Sequence, residues 1–241
     1  MHKVSIRKHI VDRVVARRGD LHWFTRLDPQ KTALLVIDMQ NTFCMPGGPA
    51  EVAAARGIVP NINRLAAKLR PLGVPVIWIL HANTHAEGRS DWEVFFNYVV
   101  RNRDVRRRMV ESLSPARQAV WKELEAHPGD ITVIKNRYSA LAHGSSTLER
   151  VLRNLGVDTV LVAGTKTNVC CDSTARDAMM LDFKSIMLSD CCAALSDDEH
   201  LASLETFIQQ FGDVMSSEEA LERLQADKAV TAPELAASGV G

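Results

Sequence analysis

The sequence predicts an α/β fold, a parallel sheet with helices on both faces, and three observations predict it. Short, apolar, β-branched runs recur along the chain, too short for helices and too uniformly apolar for strands with a wet face. Stretches of helical period separate them. The connections are brief, as strand–helix–strand crossovers require. Of the 241 residues, 46 % are hydrophobic and only 5 % aromatic, so the core should be sizeable and aliphatic.

Residues 1–30 read as an N-terminal arm. Val4, Ile10, Val11, Val14 and Val15 form a partial helical stripe that Gly19 stops. The domain proper is expected over 31–225. Its first strand is Ala33-Leu34-Leu35-Val36-Ile37, ending at Asp38, and a Gly/Pro loop at 46–49 follows. Ile62, Leu65, Ala66 and Leu69 set a helical period over 58–71. The second strand is 74–80. Residues 92–126 read as mostly helical, broken at Pro115. The third strand, 131–134, ends at Lys135. A helix over 145–155, capped by Ser145 or Ser146, closes at Gly156. Strand 159–163, helix 168–181, strand 185–188, helix 197–211 and a short strand at 214–215 complete the alternation. The Ala-, Gly- and Ser-rich segment 226–241 reads as a flexible C-terminal tail.

The 29 basic and 29 acidic residues cancel, so no overall field draws in nucleic acid or an anionic membrane. Arg101, Arg103, Arg106, Arg107 and Arg108 cluster at helical spacing, which suits a solvated helix face or a subunit contact. No run approaches the ~20 apolar residues of a membrane helix. The basic, charge-broken start does not resemble a signal peptide. Five cysteines, two pairs of them adjacent, make a poor disulfide framework. Free thiols and a cytoplasmic location are the expectation.

Ligands of open parallel sheets bind beyond the carboxyl ends of the strands. There the sequence puts Asp38, then His81 with His85 nearby, then Lys135, then Gly164-Thr165-Lys166-Thr167 with Cys170 opening a helix. Each has a plainer role open to it: Asp38 as a cap, Lys135 on the surface, Cys170 as a small apolar filler. Together they suffice for acyl transfer through a thioester. A thiol in the first turn of a helix and beside an ammonium is expected to have a lowered pKa. A carboxylate can take its proton and later activate water.

TALLVIDMQNTF, ITVIKNRYS and LVAGTKTNVCCDSTARDA resemble the signature segments of the isochorismatase-like cysteine hydrolases, over roughly residues 31–215. The third is the most specific, joining Gly-x-x-Thr-x-x-Cys to Ser-Thr-x-Arg-Asp-Ala. The resemblance implies a three-layer α/β/α sandwich with a six-stranded parallel sheet. It implies Cys170 as nucleophile, Asp38 as general base and Lys135 as the cation ordering the pair. It also implies a cis peptide between Thr165 and Lys166, so that the N–H groups of Lys166 and Cys170 form an oxyanion hole.

Lys135-x-x-Tyr138-Ser139 and Thr167-Asn168-Val169-Cys170 are similar to the ureido-amide branch, whose substrates are ureidoacrylate, biuret or triuret. A pocket for such small polar amides needs hydrogen-bonding groups, and Asn41, His81, Tyr138 and Lys166 are the candidates. Nicotinamidase- or N-carbamoylsarcosine-type amidases and isochorismatase-type vinyl-ether hydrolases are the alternatives; the last reaction needs no cysteine. His81 and His85 lack the Asp-x-His context of the family's metal site, so no metal and no cofactor are expected. The remaining partner is a second copy of the chain. The resemblance implies a homodimer or homotetramer, with the arm or the region 92–110 crossing the subunit boundary.

Overall fold

A computed structural model describes residues 2–225 of the chain. The sheet comprises β1 (Thr32–Ile37), β2 (Val76–His81), β5 (Ile131–Lys135), β6 (Thr159–Thr165), β7 (Lys184–Ala193) and β8 (Asp213–Met215). These six run in the order β5-β2-β1-β6-β7-β8, every neighbouring pair parallel. A two-stranded hairpin, β3 (His85–Ala86) with β4 (Arg89–Ser90), stands apart. The chain builds outward from β1 to β5, then returns to β6 on the other side of β1. That reversal lies between the two central strands, where a crevice opens at the carboxyl ends.

Strand geometry explains how a run of unbroken hydrophobicity serves two helical layers. Alternate side chains face opposite sides of the sheet. In β1, Leu34 and Val36 pack with Ile58, Ile62, Leu65 and Leu69 of α3 (Ala55–Leu69) and with Leu221 and Leu224 of α8 (Ser217–Gln225). Ala33, Leu35 and Ile37 pack on the opposite face. Their neighbours come from α5 (Leu148–Asn154), α6 (Asp172–Met180) and α7 (Asp197–Gln210). Three layers result. A third, smaller cluster forms around Phe43, Phe95, Phe96, Val100, Met109 and Leu113. It joins the single turn α2 (Asn41–Cys44), the π-helical turn Phe95–Val99 and α4 (Arg103–Ser112).

The arm folds onto its own domain. It carries α1 (Lys8–Arg18), closed by Gly19 in the left-handed region at φ 86. Ile10 and Val14 are buried in the same cluster as α7. Arg7 forks onto Glu205, and Asp213 accepts from the backbone N–H of Trp23 and pairs with His22. These apolar side chains, each worth ~1.5–3 kcal/mol when buried, need no neighbouring subunit to cover them.

Two features depart from expectation. Helix holds most of 92–126, in the π-helical turn Phe95–Val99, α4 and a single turn at Pro115–Arg117, but it stops short of 126 and the chain is irregular beyond Arg117. Backbone pairing outcompetes helical propensity there. The Trp121 N–H donates to Met39 O at 2.8 Å, Gln40 bridges Val120, and Trp121 and Leu124 enter the core. The second is α8, unread in the sequence, which Ala220, Leu221 and Leu224 bury against the sheet. The predicted tail, 226–241, lies outside the described residues. Among the described residues no helix is long and apolar enough to cross a membrane.

Gly164 closes the centre of the sheet. Paired with Ile37, it has φ 119, and a Cβ there would stand 2.0 Å from the Ile37 carbonyl oxygen. Gly164→Ala is therefore expected to cost at least ~2 kcal/mol, since both backbone conformation and close approach are violated. Chemical denaturation checks this. An unchanged midpoint would mean that β1 and β6 can part freely.

Candidate active site

The strands β1, β2, β5 and β6 each deliver one group to the crevice. Asp38 follows β1 at φ 55, a left-handed conformation that a non-glycine residue adopts only when its surroundings impose it. Its N–H donates to Ile79 O and its carbonyl accepts from the Gln40 N–H, both at 2.8 Å. The side chain thereby turns inward, with no exposure. Lys135 ends β5 and reaches across β2, also fully buried. Its Nζ donates to Asp38 Oδ2 at 2.9 Å and to Arg137 O at 3.1 Å, and lies 3.4 Å from His81 Nδ1.

Cys170 comes from the π-helical turn Thr167–Cys171 that runs into α6. The turn follows β6 through a cis peptide between Thr165 and Lys166, at the position that the signature segments implied. From α7, Ser203 Oγ donates to Thr167 O at 3.4 Å, and His200 Nδ1 meets Thr167 Oγ1 at 2.8 Å. Cys170 Sγ, one carboxylate oxygen of Asp38 and one ring nitrogen of His81 all lie within 4.8 Å of one another. Asp38 Oδ1, buried, has no hydrogen-bond partner among the described residues. The adjacent Cys171 faces the other way, toward Ala163 O, within the apolar core.

Charge in this small volume follows from burial. Burial pushes the Asp38 carboxyl above the usual carboxylate range, with Lys135 and Cys170 opposing. Burial also works against the Lys135 charge, but Asp38 and the Cys170 sulfur outweigh it, and the ammonium ends above the usual lysine range. The Cys170 thiol is pushed well up, by burial first and by the charge of Asp38 second. This corrects the expectation of a lowered thiol pKa. At 4 % exposure, the cost of a second buried anion beside Asp38 exceeds what the helical turn and Lys135 return. The resting group is a thiol next to a carboxylate.

His81 lies at the end of β2 and lines the cavity above the thiol, but both ring nitrogens are engaged. Asn83 directs its amide N–H to Asp91 Oδ1 at 2.7 Å, leaving its Oδ1 to accept from His81 Nε2 at 2.9 Å. His81 Nδ1 is then an acceptor turned to the Lys135 ammonium. Burial, and next the Lys135 charge, hold this imidazole neutral, its pKa well below the usual histidine range. His81 thus orders Lys135 and has no nitrogen to spare for a ligand. Gln40, which sequence reasoning missed, is a second bracket: its amide accepts from the His81 N–H at 2.7 Å and donates to His81 O at 3.0 Å. A polar residue two positions after a strand-end aspartate was the available signal.

The cavity over Cys170 has a volume of about 190 Å³. Phe43, Phe95, Val99, Val100, Met109 and Leu113 form its apolar wall, and Tyr138 and Lys166 add polar ends. Tyr138 is half-buried and edge-on to Trp92 at 4.7 Å. Asn41 does not line it. It opens α2 with its side chain exposed in a neighbouring surface cleft bounded by Arg108 and Arg117, because the buried side of that turn is taken by Thr42, Phe43 and Cys44. His85 stands edge-on to Phe96 at 4.6 Å, and no donor cluster among the described residues unites it with His81. Of the three donors that do converge, Asp38, His81 and Cys170, the first two already face the ammonium of Lys135.

With this geometry in place, comparison with known proteins is informative. The family model for the isochorismatase domain matches residues 32–219. The ureidoacrylate amidohydrolase RutB of Methylobacterium radiotolerans is 30 % identical over 212 residues, covering 81 % of each chain. RutB of Agrobacterium fabrum is 31 % identical over 196 residues, covering 76 % of this chain and 82 % of its own. Among solved structures, a cysteine hydrolase from Pseudomonas syringae pv. phaseolicola superposes with a TM-score of 0.71 at 31 % identity, covering 83 % of this chain and 95 % of that one.

The two buried charges should be interdependent. Lys135→Met, which strands the Asp38 carboxylate, is expected to destabilise the fold by ~3–5 kcal/mol. Adding Asp38→Asn should recover part of that loss, and a thermal-melting double-mutant cycle reads the coupling. Additive losses would mean that the two groups are independent. For turnover, Cys170→Ser should leave a folded protein with kcat lowered by at least ~100-fold, while Cys171→Ser keeps most activity. Equal losses would assign the chemistry to the wrong sulfur.

Proposed function

The chain belongs to the isochorismatase family, and from that premise we propose that it is a cysteine-dependent amidohydrolase that cleaves a C–N bond of a small ureido or carbamoyl amide through a thioester. One observation carries the reading: a buried thiol beside a carboxylate with one oxygen pinned by Lys135 and the other, Oδ1, unpartnered among the described residues. That free oxygen is where a proton from sulfur can go. The names of the relatives agree with the bond, since two of them act on ureidoacrylate as amidohydrolases.

In this reading the Cys170 sulfur adds to the substrate carbonyl as Asp38 removes its proton. The oxyanion that develops is received by the backbone N–H groups of Lys166 and Cys170. Asp38 then gives the proton to the departing nitrogen, the C–N bond breaks, and an acyl group remains on sulfur. Water enters, Asp38 takes one of its protons, and the acid is released as the proton returns to sulfur. Lys135 stays protonated throughout. It holds the Asp38 charge and offsets the negative charge that sulfur gains. Tyr138, with its ring in the cavity wall, supplies a hydroxyl for a substrate carbonyl.

A homo-oligomer belongs to the same reading. Val94, Tyr98 and Val99 are 65 %, 77 % and 66 % exposed beside the cavity wall, a surface that a second copy would cover. The reading also places the protein in the reducing cytoplasm, supported by five buried, unpaired cysteines.

Ammonia release from ureidoacrylate, biuret, triuret, N-carbamoyl amino acids, nicotinamide and maleamate tests the activity, and silence across the panel would overturn it. The pH profile tests the base. Activity needs ionised Asp38, whose pKa burial raises, so kcat/KM should fall on the acid side at a pH above the usual carboxylate value of ~4. An acid limb below that value would remove Asp38 from the role. Turnover should also survive dialysis against a chelator; loss that zinc or manganese restores would put a metal in the mechanism.

A further inference from the structure

The amidase reading leaves one charged side chain unused. Lys166 is half-buried and lines the cavity over Cys170, yet its ammonium has no hydrogen-bond or ion-pair partner among the described residues. The two cations beside the catalytic pair are matched. Lys135 is held by Asp38, and Arg137 by the carbonyls of Asn136 and Asp91 and the face of Trp92. The cavity that Lys166 shares is walled mainly by apolar side chains such as Phe43, Phe95, Val100 and Met109, and its polar lining, Tyr138 and His81, carries no negative charge to answer the ammonium.

An ammonium against an apolar wall loses part of its hydration and gains nothing from the protein in return. A ligand that brings an anion restores the balance, and the low dielectric of the cavity strengthens the pair. The charge count points the same way. Asp38 and Lys135 cancel and the thiol is neutral at rest, so Lys166 leaves the site one positive charge in excess. Its position is specific as well. Lys166 and Cys170 line the same cavity, so a group paired with the Lys166 side chain shares that small space with the carbonyl under attack. The cavity, about 190 Å³, holds a short chain bearing an amide at one end and an anion at the other.

Resting on the proposed amidase activity, we infer that Lys166 is a specificity residue that selects amides carrying a carboxylate a few bonds from the scissile carbonyl, such as ureido acids and half-amides of short dicarboxylic acids, over neutral amides of the same size. It makes no change of bonding; it pairs with the carboxylate while Cys170 reacts at the amide.

The test compares matched substrates, ureidoacrylate and maleamate against their methyl esters, in wild type, Lys166→Met and Lys166→Arg. The acid should be preferred in kcat/KM by about tenfold or more in wild type, the size of effect a charged hydrogen bond gives. Lys166→Met should remove that preference mainly by raising KM for the acid, and Lys166→Arg should retain most of it. Esters hydrolysed as well as the acids, or a preference unchanged in Lys166→Met, would overturn the role of Lys166 and leave the amidase reading standing. Binding separates the opposite failure. Calorimetric titration of succinamate and succinamide into Cys170→Ser and Cys170→Ser/Lys166→Met reads carboxylate recognition without turnover. Tighter binding of the acid, lost in the double variant, supports the inference even if no amide is cleaved. Equal binding of the pair to Cys170→Ser overturns it.

Discussion

The buried pair of Asp38 and Lys135 is the constraint from which the site is built. Neither side chain touches solvent, and their oxygen and nitrogen stand 2.9 Å apart. Taking both charges out of water costs several kcal/mol per ion, which a single contact does not repay. The surroundings therefore supply more: Arg137 O and His81 Nδ1 complete the ammonium's three partners, and backbone bonds to Ile79 and Gln40 hold the carboxylate's residue in a left-handed turn. Those partners belong to β2 or follow closely on β1 and β5, so the site is tied to the sheet. What stays unanswered is Asp38 Oδ1, on a carboxylate that the Cys170 sulfur approaches within 4.8 Å.

The same burial decides the state of the nucleophile. A thiolate would be a second anion in a space that already holds one, and Lys135 is already committed to the first. In the proposed mechanism, keeping the proton on sulfur until a substrate carbonyl arrives lets negative charge pass from carboxylate to sulfur to oxyanion without accumulating. The neighbouring histidine follows the same logic. A charged imidazole 3.4 Å from the Lys135 ammonium would be repelled, so His81 stays neutral and its lone pair turns toward the lysine. The Asn83–Asp91 pair behind it fixes which nitrogen carries the proton.

Legibility in the sequence divides along the same line. Asp38, Lys135 and Cys170 could be read because each ends a strand or opens the turn after one, and a parallel sheet gathers such ends at one edge. Sheet and helix positions follow from period and length, which are local properties. The cavity wall was not legible. Phe95, Val99, Val100 and Met109 come from a π-helical turn and a charged helix whose pattern suggested a solvated face, and only the small third core cluster turns them inward. Asn41 shows the limit of nearness in sequence. It is three residues from Asp38, yet one helical turn carries its side chain outside while Phe43 goes in. The thiol's proton affinity was misjudged because helix position is visible in a sequence and depth of burial is not.

This division has a consequence for how substrates are distinguished. The groups proposed to make and break bonds sit at the carboxyl ends of neighbouring parallel strands. Displacing any of them disturbs a buried ion pair and the sheet together. The groups that meet the rest of a substrate come from the excursion between β2 and β5 and from the side chain at position 166, which hang on the sheet without holding it up. Truncating an apolar wall residue there costs the ~2–5 kcal/mol of a cavity but leaves no charge unanswered. Loss of Asp38 or Lys135 strands a charge in the interior. In the proposed reading, a fold organised in this way keeps one acyl-transfer chemistry while the walls around it vary: the strand ends act on the amide bond, and the side chains that lean over them select the amide.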